Sequence, residues 1–169
     1  MNVKERADAI GTFRFIEVWL METASLWTPL TPEMEAKVMF GRHIWDYAQH
    51  ADWLGKRTFE LRQPEHYTRT PANAYLELLR TVKIVTSTSE RLTLLYDVVV
   101  PGLVSRYEGY LEATDGLLDG PSVVVVERIL PELRRQIDDA RRLREELVIP
   151  DAEAAAWRRR EADIESVVA

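Results

Sequence analysis

Glu17 is the residue in this sequence most able to do chemistry, because it lies in the middle of an apolar helix face. At about 100° per residue, five apolar residues fall within about 60° of Glu17 on that face: Ile10, Phe13, Leu20, Met21 and Ala24. A buried charge is costly unless it is paired or coordinates a metal ion. Glu17 is therefore predicted to pair with an internal arginine or tyrosine hydroxyl, or to act as a metal ligand or an acid/base group.

A second helix pattern places His43, Tyr47 and His50 along one apolar stripe. The histidines are about 10 Å apart along a straight helix, so each would need ligands from other helices to bind a metal ion. A histidine on an apolar face is otherwise a core residue with a satisfied hydrogen bond. A buried Glu beside a His and a Tyr has the unequal pKa values that proton transfer needs, which makes Glu17, His50 and Tyr47 candidate catalytic residues.

Four further residues are candidates for contacting a small ligand: His43, Tyr107, Glu127 and Arg134. Glu127 and Arg134 lie at the edge of the apolar face of the last long helix pattern. A buried ion pair between Arg134 and either Glu127 or Glu17 would account for Glu17 without a metal ion.

Helical periodicity dominates the whole chain, and no stretch alternates with a period of two residues for long. Thr31 before a proline is predicted to cap the second helix, and Ser87 with Glu90 forms a capping-box signal. Pro101 predicts a kink in the fourth helix. The predicted helices cover residues 5–27, 34–61, 72–85, 89–114, 122–147 and 152–168.

The composition excludes several classes of protein. The 169 residues include no Cys, so disulfides and Cys-based metal sites are ruled out. A net charge of −6 argues against a nucleic-acid partner, and no run of about 18 apolar residues predicts a membrane span. The charged N-terminus lacks the apolar stretch of a signal peptide. We therefore expect a soluble, cytoplasmic protein with neither nucleic-acid nor membrane partners.

These residues resemble the ferritin-like superfamily, whose four-helix bundles hold a di-iron or di-manganese centre. Glu17 looks like the first Glu ligand, and the segment 41–51 resembles the Glu-x-x-His helix with His50 in the His position. The segment 119–130 is similar to the opening of the last helix in several bacterial members. The resemblance implies an all-α, antiparallel four-helix bundle over residues 1–149, with a short crossover helix, and a C-terminal helical appendage over residues 150–169.

The sequence departs from the ligand set of that superfamily. Tyr47 stands where the second helix should supply Glu, and Leu133 and Gln136 stand where the last helix should supply its Glu-x-x-His pair. No Glu lies on the core stripe of the fourth helix. Glu17 and His50 alone have clear counterparts, so we expect the di-metal centre to be lost or rebuilt. The expectation is that no cofactor is bound, and iron or manganese at Glu17 and His50 is the alternative.

The function expected from this reading is the binding of a small organic ligand in the central cavity, or a role in assembly. The alternative is an enzyme on the same scaffold that uses Glu17 and His50, either an atypical metal-dependent oxidase or oxygenase or a metal-free acid/base catalyst. Five Trp residues and a second helix that is apolar on two sides favour a homodimer, because an uncovered apolar face is costly in water.

Overall fold

Helices make up the fold of the chain, as the periodicity predicts. The computed structural model describes residues 1–164 and 166–168, and within these it contains no β-strand, only an isolated bridge between Pro71 and Val168. The α-helices are α1 (Val3–Trp27), α2 (Met34–Glu60), α3 (Asn73–Lys83), α4 (Thr88–Leu94), α5 (Val100–Ala113), α6 (Gly120–Leu147) and α7 (Ala155–Ala162). A π-helical turn, Leu95–Val99, joins α4 directly to α5.

The long helices pack in antiparallel pairs. α1 runs along α2, α2 along α6, and α6 along α5. Short turns join α1 to α2 and α5 to α6, so the members of each of these pairs must run in opposite directions. One continuous hydrophobic core lies between the helices, and its largest fully buried side chains include Trp27, Phe40, Tyr47, Tyr96 and Tyr107.

One of the two N-terminal helix caps predicted from the sequence is present in the structure. Ser87 and Glu90 form the predicted capping box at the start of α4. The predicted cap by Thr31 is wrong, because α2 begins at Met34 and the Thr31 hydroxyl is used elsewhere. It donates to the Trp27 carbonyl at 2.9 Å and accepts from Arg91 at 2.9 Å. Thr31 therefore ties the α1–α2 turn to α4.

A π-helical turn lies directly before Pro101, where the sequence predicts a kink. A proline has no backbone N–H, so Pro101 cannot donate to the Asp97 carbonyl one turn earlier. The side chain of Arg158 on α7 donates to that carbonyl instead, at 3.2 Å. The turn also carries Tyr96, which is fully buried and faces α2. π-Helical turns inside helices occur frequently at functional sites.

The C-terminal appendage is less helical than predicted and lies against the helices before it. Only Ala155–Ala162 of the predicted helix 152–168 is helical, while residues 165 and 169 lie outside the described residues. Glu161 makes a close ion pair with Arg106 on α5. A Cβ atom at Gly102 would clash with the Glu161 carboxylate, so the glycine allows this close approach of α7 to α5.

Candidate functional site

Glu17 lies at the centre of a hydrogen-bonded chain that crosses the core. Its two oxygens contact different helices: Oε2 is 3.1 Å from Nδ1 of His50 on α2, and Oε1 accepts the hydroxyl of Tyr107 on α5 at 2.9 Å. All three side chains are fully buried. Burial and the neighbouring Glu17 raise the pKa of Tyr107 well above its usual value, so this hydroxyl is protonated and donates.

Glu132 on α6 extends the chain to the surface. The carboxylate is 3.0 Å from Nε2 of His50, and its side chain is 31% exposed. Glu132, His50, Glu17 and Tyr107 thus form a chain that we call the central network. It takes one side chain from each of α6, α2, α1 and α5.

His50 is the cation of the central network. Burial alone would lower its pKa, but the flanking carboxylates of Glu17 and Glu132 outweigh burial and raise it above the usual value. Each ring nitrogen of His50 also faces a carboxylate, and only an imidazole with a proton on both nitrogens can donate a hydrogen bond to each of them. Two acids and one protonated histidine therefore partly neutralise one another inside the core.

A second chain lies one heptad earlier on α2, at His43. Nδ1 of His43 is 2.7 Å from the hydroxyl of Tyr96, and Nε2 is 3.4 Å from the carboxylate of Asp139 on α6. Burial lowers the pKa of His43 to about 4, despite the opposing influence of Asp139. The ring is therefore neutral at pH 7, and the geometry fits a tautomer that accepts from Tyr96 and donates from Nε2 to Asp139.

The two histidine layers follow from one repeat on antiparallel helices. His43 and His50 are seven residues apart on α2, and their partners Asp139 and Glu132 are seven residues apart on α6. Between the layers, Asp46 accepts from Arg135 at 2.6 Å and from Gln136 at 3.1 Å. The same heptad spacing thus gives one neutral and one charged histidine, because their inner partners differ.

Tyr47 lies between the two histidine layers, beside Tyr96. Its side chain is fully buried, and its hydroxyl makes no hydrogen bond of good geometry within the described residues, although it lies close enough to the Tyr96 hydroxyl to interact with it. Burial, together with Tyr96 and Glu17 nearby, raises the pKa of Tyr47 well above its usual value. An unpaired buried hydroxyl costs free energy, so Tyr47 is the weakest polar element of the site.

The structure brings together most of the predicted site residues but not all of them. Glu17, His50, Tyr47, Tyr107 and His43 meet in the core. Glu127 and Arg134 do not, since both lie on the exposed side of α6.

The predicted internal ion pair of Arg134 is therefore wrong, because Arg134 instead pairs with Glu108 on the surface at 2.6 Å. The tyrosine hydroxyl foreseen as one partner of Glu17 is that of Tyr107. Sequence reasoning missed Tyr96, Glu132 and Asp139 as partners of the histidines. The matching seven-residue spacing on α2 and α6 was the signal that could have found Glu132 and Asp139.

The donor set does not fit a shared metal ion. Glu17 and Glu132 contact opposite nitrogens of the same imidazole ring, so their oxygens cannot converge on one ion with His50. Among the described residues, no three His, Asp or Glu side chains are grouped so that they could hold a metal. The site is instead a set of hydrogen bonds between protein groups.

Two surface cavities border the chain at His43, whereas aromatic side chains occupy the centre of the bundle. Tyr47, Tyr96 and Tyr107 are fully buried there. A cavity of about 560 Å³ opens over His43 between α2 and α6, and a second cavity of about 390 Å³ continues along the same two helices. We call these two cavities together the α2–α6 groove. A small ligand has room in this groove, next to the outer nitrogen of His43.

Comparison with known proteins gives no relative. The chain matches no family model, no curated protein and no solved structure at a significant level. Within the part of the chain that the structure describes, no helix is both long and apolar enough to cross a membrane. The function is therefore inferred from the geometry of this chain alone.

Proposed function

We propose that the protein is a metal-free helical bundle of the ferritin-like type that binds a small organic ligand on its α2–α6 face. One observation carries the proposal: the polar atoms of Glu17 and His50 are taken up by hydrogen bonds to other helices. Carboxylate and imidazole groups that hold a metal ion must direct their lone pairs at one point. Those of the central network point at one another instead.

The placement of the central network supports the ferritin-like part of the proposal. Ferritin-like bundles build their metal centre from side chains that four helices direct inward. Here Glu17, His50, Tyr107 and Glu132 come from α1, α2, α5 and α6. The short helix α3 follows α2 and precedes α4 in the chain, which supports its assignment as a crossover connection.

Burial favours ligand binding over catalysis at the central network. A catalytic acid or base must come within hydrogen-bond distance of its substrate. Glu17, His50 and Tyr47 are fully buried, and only Glu132 of the central network reaches the surface. The outer edge of His43, by contrast, borders an open cavity. The proposed ligand therefore lies in the α2–α6 groove rather than in the centre of the bundle.

Metal analysis of the purified protein tests this proposal. Protein from cells supplemented with iron and manganese is expected to carry far less than one metal ion per chain. The proposal would be overturned if the protein carries close to one or two metal ions per chain and if Glu17→Ala or His50→Ala loses this metal while its helicity is unchanged. His66→Ala is the matched control, since His66 is exposed in a loop. Metal lost equally in that variant would indicate adventitious binding.

A further inference from the structure

We infer that the α2–α6 groove binds an amphiphilic organic anion, with its acidic group beside Arg42 and Arg135 and its apolar chain over Met34 and Val38. This inference rests on the proposed function and specifies its ligand. It depends on three observations: an unpaired arginine, carboxylates that are already bonded, and an apolar extension of the cavity.

Arg42 is the cation available to a ligand. It borders both parts of the groove, and no hydrogen bond or ion pair to it occurs within the described residues. Arg135 borders the cavity over His43 and is bound to Asp46 through a single nitrogen, Nη2, with half of its side chain exposed. Arginines with free N–H groups bind carboxylates through paired, charge-assisted hydrogen bonds.

The two acidic residues that line the cavity over His43, Asp46 and Asp139, are already paired. Asp46 accepts from Arg135 and Gln136. Asp139 makes a close ion pair with Arg142 and also contacts the neutral His43 ring. Because these carboxylates are neutralised locally, the unpaired Arg42 makes the end of the groove next to His43 attractive to anions, although the net charge of the chain is −6.

Apolar surface continues from Arg42 toward the start of α2. Four of the nine residues that line the second part of the groove are apolar: Met34, Val38, Met39 and Leu143. Met34 and Val38 are well exposed, and the other five lining residues are charged. The distance along α2 from Trp45 to Met34 is about 16 Å, enough for a medium-length alkyl chain. Methionine side chains adapt to irregular apolar ligands.

Two carboxylates fix the orientation of the ligand in the groove. Glu35 and Glu146 border its apolar end. They would repel an acidic group placed there, and they would disfavour a ligand with an acid at each end. The groove therefore selects a single acidic head near Arg42, with an apolar tail directed toward Met34.

Calorimetric titration with octanoate tests this inference. Saturable binding at one site per chain is expected, and binding should be at least about tenfold weaker for butanoate, which lacks most of the apolar chain, and for octylamine, which reverses the charge. Arg42→Gln should weaken octanoate binding by about tenfold. Arg134→Gln is the matched control, because Arg134 is exposed on α6 outside the groove, and it should leave binding unchanged. Trp45 should report the binding by a fluorescence change that Trp45→Phe abolishes.

Several results would overturn the inference. These are no octanoate binding, equal binding of octylamine, or equal losses in Arg42→Gln and Arg134→Gln. A second copy of the chain would be the occupant of the groove if octanoate does not bind and sedimentation shows a concentration-dependent dimer. In that case Val38→Asp should dissociate the dimer. If octanoate fails to bind but the metal analysis gives a metal-free protein, this inference fails while the metal-free bundle stands.

Discussion

Substitution of Tyr107 by Phe should destabilise the protein by about 2–3 kcal/mol. The variant removes one hydroxyl and leaves the ring in place, so packing is nearly unchanged. The lost hydrogen bond, at 2.9 Å, is made to the carboxylate of Glu17, and both side chains are fully buried. A hydrogen bond to a charged group contributes about 1.5–3 kcal/mol, and the stranded Glu17 oxygen cannot turn to water.

Tyr47→Phe is the matched control, because it removes the same group from the same buried environment. The Tyr47 hydroxyl makes no hydrogen bond of good geometry within the described residues and neighbours only the neutral Tyr96 hydroxyl, so its removal strands no charged acceptor. The expected change lies between zero and a gain of about 1 kcal/mol. In a domain of this size, 1 kcal/mol moves the melting temperature by about 2–4 °C. The two variants should therefore differ by at least about 4 °C in thermal unfolding.

Chemical denaturation followed by circular dichroism measures both variants on one scale. An unchanged dependence on urea concentration would show that the comparison is valid, because that slope reports the surface exposed on unfolding. Equal losses of stability in Tyr107→Phe and Tyr47→Phe would refute the reasoning. That result would mean that the Tyr47 hydroxyl is bonded as strongly as that of Tyr107.

Three further predictions concern titration, backbone strain and the docking of α7. In NMR titrations the His43 ring should stay neutral until about pH 4. Its depressed pKa should reduce the free energy of unfolding by about 3 kcal/mol as the pH falls from 6.5 to 4. The raised pKa of His50 should stabilise the fold below pH 6.5, and this stabilisation should be lost as the pH rises through the pKa of His50 in the folded state. Titration of His43 near pH 6.5 would contradict its burial. Val148→Gly should stabilise the protein by about 1 kcal/mol in urea unfolding, because a β-branched residue has φ 53° at the end of α6, and a loss of stability would contradict this. Gly102→Ala should displace Glu161 and speed tryptic cleavage within α7, and an unchanged cleavage rate would show that α7 is docked by other contacts.

The helices were largely predictable because helix formation depends on local patterns. The apolar period and the proline turns located the long helices to within a few residues, and the Ser87–Glu90 box marked the start of α4. The Thr31 cap failed because a tertiary contact with Arg91 uses its hydroxyl. A local signal cannot register a competing partner that lies far away in the sequence.

The buried residues of the candidate site were predictable from the sequence, but their partners on α6 were not. Glu17, His43 and His50 were recognisable because a polar residue on an apolar stripe must find a buried partner. Glu132 and Asp139 lie at the edge of their helix face, where rotation of α6 by a few tens of degrees decides between core and solvent. Arg134 is on the same helix, and that rotation turns it toward Glu108 on the surface. The apolar periodicity of α6 determines the rotation of the helix too coarsely to show which of its edge residues face the core.

A tyrosine at position 47 and the observed hydrogen bonds have one electrostatic explanation. In the metal-free bundle that we propose, each additional buried carboxylate needs its own cation, and the central network offers only protonated His50 between Glu17 and Glu132. A tyrosine at position 47 adds no charge. Tyr47→Glu should therefore destabilise the protein by about 3 kcal/mol or more at pH 7, and less at pH 4, where the new carboxyl group is protonated. Equal losses at both pH values would indicate a packing defect, and Tyr47→Gln, which is similar in size and uncharged, separates the two causes.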